Sequence, residues 1–180
     1  MNSPTSGARP LLLLVAAFAL PVVLAKLVLS QHWYTEGVTN KGQLFASPTS
    51  YQSLGADNPL PERWQILYRL PEQCDASCED RLYLIKQSYT ALGAERGRVA
   101  PVVLLSGSAD KAVLNDDFFV TATLPSELEP LLSDQALILV DPMGTLVMSY
   151  PRVDGREANI TQGKAMLADL RKLLKLSRVG

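Results

Sequence analysis

The stretch that most limits what this chain can become runs from Trp64 to Ser106. Trp64-Gln65-Ile66-Leu67-Tyr68-Arg69-Leu70 is a short, mostly apolar run closed by Pro71, which reads as a buried strand ended by a residue that cannot extend it. Beyond it, Cys78, Leu82, Ile85, Tyr89 and Leu92 recur every three or four residues and predict a helix from about Asp75 to Leu92. Gly93 stands where a C-terminal cap belongs, and Asp75 or Ser77 can cap the start. Next, Arg98 to Ser106 carries Val99, Val102, Val103, Leu104 and Leu105, apolar on both faces, as in a central strand covered by helices on either side. A strand, a helix and a second strand at this separation make a β-α-β unit with parallel strands. Both cysteines of the chain, Cys74 and Cys78, fall at its first strand-to-helix junction.

The remaining segments extend that unit. Residues 107–117 read as a loop or weak helix, 118–122 as a short strand, and 126–132 as a short helix behind Pro125. Residues 136–140 and 145–150 flank Asp141-Pro142-Met143-Gly144, with Pro and Gly in turn order, and predict a β-hairpin. From about Thr161 to Leu176, Met166, Leu167, Leu170, Leu173 and Leu174 line one helical face against Lys164, Arg171, Lys172 and Lys175, so an amphipathic helix closes the sheet. The Asn159-Ile160-Thr161 sequon is expected to be its start. Residues 32–60 are polar and rich in turn formers, a linker in which 42–47 can form a strand and Tyr51 to Leu54 turns back towards the core. The expected organisation is therefore 1–31 as cytoplasmic N-terminus and anchor, 32–60 as linker, and 61–180 as one α/β domain in the order of the thioredoxin fold.

The N-terminal segment is apolar from Leu11 to Ser30 apart from Lys26. Twenty helical residues span about 30 Å, enough for a bilayer core, and Lys26 lies near enough to the far end to reach the headgroups. No small-residue cleavage pattern follows the run, so an uncleaved single-pass anchor is expected over a cleaved signal peptide. His32 and Trp33 then fall at the interface. In a bacterium the rest of the chain would lie in the periplasm, on an inner-membrane anchor.

Composition narrows the chemistry. The net charge of -1, without a cluster of basic residues, gives no footprint for nucleic acid. With His32 as the single histidine, histidine-based catalysis and multi-histidine metal sites are excluded within one chain. Thiols and carboxylates remain. In an oxidising compartment Cys74 and Cys78 are expected to pair, yet so short a loop makes a poor staple. Three readings stay open. Cys74 can act as the attacking thiol with Cys78 resolving, an exchange that requires no cofactor. The same two thiolates can carry copper(I), a soft monovalent ion favoured by the acidic rim of Glu72, Asp75, Glu79 and Asp80. Or the pair is a passive disulfide in an interaction module. The same carboxylates oppose the activation that a helix N-terminus gives a thiol.

Leu67-Tyr68-Arg69-Leu70-Pro71-Glu72-Gln73-Cys74-Asp75-Ala76-Ser77-Cys78, followed by a helix, a Val-rich strand and Val140-Asp141-Pro142-Met143-Gly144, resembles the Sco (SenC) family of thioredoxin-fold proteins. The anchor followed by Thr39-Asn40-Lys41-Gly42-Gln43-Leu44 is similar to small membrane proteins of bacterial cytochrome oxidase clusters. The resemblance implies a role in cytochrome c oxidase assembly, with an oxidase subunit or another assembly factor as partner. It also implies a histidine as third copper ligand, shortly before the strand leading into the Asp-Pro-x-Gly turn. That place holds Ser133, then Asp134 and Gln135, so the third ligand is missing.

Overall fold

The structure, a computed structural model, describes residues 8–30, 40–114 and 117–177. The chain divides into two units, Met1–Thr39 and Asn40–Gly180. In the first, α1 (Ala8–Ser30) is one helix whose large apolar side chains between Leu11 and Leu27, Leu13 and Phe18 among them, stand exposed within the unit. Its stretch Arg9–Leu27 is long and apolar enough to cross a membrane. Such a helix serves as a membrane anchor or as a signal sequence. The interfacial placement expected for His32 and Trp33 lies outside the described residues.

The second unit holds β1 (Gln43–Ser50), β2 (Trp64–Leu70), α2 (Ala76–Ala91), β3 (Val99–Leu105), β4 (Val120–Thr123), β5 (Leu137–Val140), β6 (Thr145–Tyr150) and α3 (Arg156–Leu176). The strands form one mixed sheet in the order β1-β6-β5-β2-β3-β4. β2 runs parallel to β3, with Trp64 opposite Val99 and Leu70 opposite Leu105, and antiparallel to β5. The β-α-β unit thus forms as expected. β5 and β6 make the predicted hairpin, Leu137 opposite Tyr150. Asp141 Oδ1 accepts the N–H groups of Met143 and Thr145, and Gly144 adopts φ 87°, a conformation that glycine allows at little cost.

The two faces of the sheet are covered differently. Cys78, Leu82 and Ile85 of α2 and Met166, Leu170 and Leu174 of α3 pack with Ile66, Tyr68, Leu70, Val103 and Leu139 on one face. On the other, Leu67, Val102, Leu104, Ile138 and Val140 are covered by Tyr51, Leu128 and Leu132. These come from loops and short 3-10 turns at Gln52–Leu54 and Glu129–Gln135. The expectation of helices on either side is therefore corrected: among the described residues both α-helices of this unit lie on the same face. Opposite, short irregular segments do the covering, with partly buried Leu54, Leu60, Leu124 and Leu131 packed around those three side chains.

Three boundaries also differ. The helix expected behind Pro125 is a 3-10 segment, Glu129–Gln135, interrupted at Leu132 to Asp134. α3 starts at Arg156, five residues before the expected start, so the sequon lies inside it. Asn159 there is buried and donates to Val153 O at 3.2 Å and Gly155 O at 3.0 Å, tying down the first turn that sequence periodicity does not mark. The early strand is longer than expected, Gln43–Ser50, and pairs with β6, which draws residues from Asn40 into the compact unit.

Candidate functional site

β2 delivers the chain to the C-terminal edge of the parallel strands, and Pro71 turns it there. Cys74 lies in the loop and Cys78 in the first turn of α2, joined as a disulfide with Cα atoms 5.2 Å apart. Cys74 precedes the helix, so the pair bridges loop to helix. Asp75 caps α2: its side chain accepts the Cys78 N–H at 2.9 Å, fixing the backbone of the second cysteine. Cys74 is partly exposed, and Cys78 is wholly buried against Tyr68, Leu70 and Ile85. Cys74 thus packs at the edge of the core cluster in which Cys78 is enclosed.

The loop after β3 braces this junction. Ser108 Oγ donates to Glu72 Oε1 at 2.7 Å, and the Asp110 N–H donates to Pro71 O at 3.3 Å. Of the four carboxylates expected to rim the site, Glu72 is thus held by a hydroxyl and Asp75 by a backbone amide. The Cys78 N–H, foremost, holds the Asp75 carboxyl below the usual carboxylate range, with Gln135 and Arg152 adding to it and desolvation opposing.

Sequence reasoning missed the groups behind the disulfide. Arg81 is wholly buried, its Nη1 donating to Gln162 Oε1 and its Nη2 to Pro151 O at 2.8 Å. Tyr68 is buried on the same side; burial pushes its hydroxyl well above the usual value, with Arg81 the largest opposing influence. Neither the Tyr68 hydroxyl nor Arg81 Nε has a hydrogen-bond partner among the described residues. Arg152 stands nearby, 4.0 Å from Asp134 and 3.2 Å from Asp154. Asp134 and Gln135 both adopt φ 55°, an uncommon pair of left-handed non-glycine residues, and so turn the Gln135 side chain towards Asp75. Ser133, where the resemblance implies a histidine, is exposed, and it is Gln135, two residues on, that brings an amide to Asp75. The signal for Arg81 was its position, one helical turn after Cys78 on a face otherwise marked by Leu84 and Ser88.

The donor set available to a metal is limited. The two sulfurs are bonded to each other, and among the described residues no three His, Cys, Asp or Glu side chains gather as a metal-holding group. Only after reduction would the pair offer two thiolates, which fit a two-coordinate soft cation and no larger coordination shell.

A mixed sheet with a cysteine pair at the strand-to-helix junction and a closing hairpin and helix defines a thioredoxin-like domain. Residues 64–177 match the family described as transmembrane-like, thioredoxin-like, C-terminal domain, and the chain belongs to that family. No curated protein matches it in sequence. Among solved structures it is similar to apo Sco1 from Thermus thermophilus, at 14% identity and a TM-score of 0.53, over 77% of this chain and 99% of that one. It is also similar to yeast Sco1 with copper bound, at 16% identity and a TM-score of 0.51, over 78% of this chain and 96% of that one. A bacterioferritin comigratory protein of Xanthomonas campestris, studied for alkyl peroxide reduction, aligns at 12% identity and a TM-score of 0.49, over 73% and 97%. At such identities the likeness is one of fold.

Proposed function

We propose that this protein is a membrane-anchored thiol-disulfide exchange factor of the bacterial periplasm, held at the inner membrane by α1 and acting in cytochrome c oxidase assembly. Its substrate would be a cysteine pair on an oxidase subunit or on another assembly factor. The observation that carries the reading is the asymmetry of the disulfide, between a partly exposed loop cysteine, Cys74, and a buried one, Cys78, at a helix start. In the reductive direction the Cys74 thiolate attacks a partner disulfide and forms a mixed disulfide, and the partner's second sulfur leaves with the bonding pair. The Cys78 thiolate then attacks Cys74 Sγ, closing the intramolecular bond and releasing the partner's other sulfur as thiolate. Two electrons pass to the partner, and the Cys74–Cys78 bond is restored.

The assembly role draws on the resemblance to Sco proteins. A second reading makes the same pair a copper(I) carrier, with the ion as cargo; what favours it is that yeast Sco1, of similar fold, is solved with copper bound. The two readings part on Cys74→Ser. Reduced full-length protein in detergent is titrated with copper(I) against a competing chelator, and the oxidised form is offered a reduced dithiol peptide. Exchange that is lost in Cys74→Ser, without cysteine-dependent copper retention, is the expected result. Copper retained without any exchange would transfer the assignment to the carrier.

A further inference from the structure

Resting on the exchange reading above, we infer that Arg81 is a positioning residue whose buried guanidinium receives the negative charge left on Cys78 when the disulfide opens. Arg81 lies three residues beyond Cys78 on α2, a spacing that puts the two Cβ atoms about 5–6 Å apart. Long helical side chains lean back over the preceding turn, which here is the turn of Cys78. Both residues are 0% exposed, so little water stands between them to screen the charge.

Among the described residues no carboxylate bonds that charge directly. The acceptors of Arg81, Gln162 Oε1 and Pro151 O, are neutral. Among the described residues no carboxylate lies within 4.0 Å of it. The titratable groups that act on it from neighbouring elements are Tyr68 of β2, then Arg152, of like sign, and Asp134 and Asp154, both of which lie against Arg152. A buried cation bonded only to neutral oxygens costs stability that an apolar residue of similar size would not. Cross-linking α2 to the β6–α3 connection does not by itself call for such a residue; an anion that appears during turnover does.

The opening of the bond supplies that anion. An incoming thiolate attacks Sγ of Cys74, the partly exposed cysteine; the new S–S bond forms as the Cys74–Cys78 bond breaks, and the bonding pair leaves on Cys78 Sγ. When the reductant is a dithiol, its second thiol loses a proton to solvent and attacks the mixed disulfide. Cys74 leaves as thiolate, takes a proton from solvent, and the reductant is released as its cyclic disulfide. Throughout, Cys78 Sγ is the buried anion, and Arg81 is the cation one turn away.

The test uses full-length protein in detergent with dithiothreitol as the dithiol. Three variants are compared with the native protein: Arg81→Met, Arg81→Lys, and Gln162→Glu, which sets a carboxylate on the guanidinium without emptying the core. The equilibrium constant for reduction is expected to fall about tenfold in Arg81→Met, a potential ~30 mV more negative, and the rate of opening to fall with it. Arg81→Lys is expected to restore most of both. Gln162→Glu is expected to shift both in the direction of Arg81→Met, and it decides the matter if Arg81→Met does not fold. A Gln162→Glu variant with native potential and native opening rate reduces Arg81 to a structural cross-link and overturns the inference. A native disulfide that dithiothreitol opens but no protein or peptide thiol can exchange with overturns the exchange reading, and the inference falls with it.

Discussion

Two charged side chains are buried in the same helical layer, and the layer treats them differently. Asp169 of α3 is 3% exposed, and its Oδ2 accepts the N–H groups of Lys41 and Gly42 at 2.8 and 2.9 Å and the Tyr150 hydroxyl at 2.9 Å. Three donors converge on one carboxylate oxygen, so the cost of burying the charge is offset by charge-assisted bonds. The result is a clasp that ties the start of β1 to α3. Arg81 of α2, equally buried, keeps one N–H without a partner among the described residues and has only neutral acceptors for the rest. Asp169 has its donors in full, whereas among the described residues Arg81 has no carboxylate bonded to it. The comparison separates a charge committed to the fold from one available to a reaction.

The largest expected effect breaks the clasp. Asp169→Ala leaves two backbone amides and a buried hydroxyl without their acceptor, and should destabilise the protein by about 3–5 kcal/mol in denaturant titration. The disulfide potential should stay at its native value. A change of potential comparable with that expected for Arg81→Met would erase the distinction between the two charges. A smaller effect is expected at Gly42, where an added Cβ would stand 2.6 Å from the Tyr150 ring. Tyr150 is buried and held by Asp169, so it cannot swing aside freely, and Gly42→Ala should cost about 1–3 kcal/mol. Thermal unfolding of this variant, with the potential as control, shows whether the clasp is as rigid as its geometry.

The smallest effect concerns Asp75, which belongs to the cysteine end. Its folded carboxyl is held below the unfolded value of 3.8, first by the Cys78 N–H. A depressed pKa stabilises the fold above the unfolded pKa, and that contribution fades as pH falls from about 3.8 through the lower folded value. Acid unfolding of Asp75→Asn should therefore lack a component that the native protein loses below about pH 4. Superimposable acid limbs for the two proteins would show that the cap is not coupled to stability.

How much of this was legible in the sequence depends on which residues carry a pattern. β2, α2, β3 and the hairpin announce themselves, because apolar spacing and the Asp141 to Gly144 turn are local signals. The pairing of β1 with β6 is not local: it joins residues about a hundred positions apart, and Gly42 with Asp169 reads as polar surface until the fold brings them together. Arg81 is the sharpest case. α2 buries two stripes, Cys78, Leu82 and Ile85 towards the sheet and Arg81, Leu84 and Ser88 towards α3. The second stripe contains an arginine and a serine, so hydrophobic periodicity assigns it to solvent. The same masking hides the first turn of α3, where Asn159 is buried by hydrogen bonds and not by apolar character. The cysteine site was therefore readable as a pair of sulfurs with acidic neighbours, while its buried, cationic side was not.

The most direct test of the account is the reduction potential of Cys74–Cys78 in the full-length protein, equilibrated in detergent against defined thiol-disulfide buffers. An exchange site is expected to titrate well above about −300 mV, the level below which structural disulfides of exported proteins typically lie, with reversible transfer to a dithiol peptide. A potential below about −300 mV, without transfer to any peptide dithiol, would contradict the account and leave the bond a passive link between a loop and a helix.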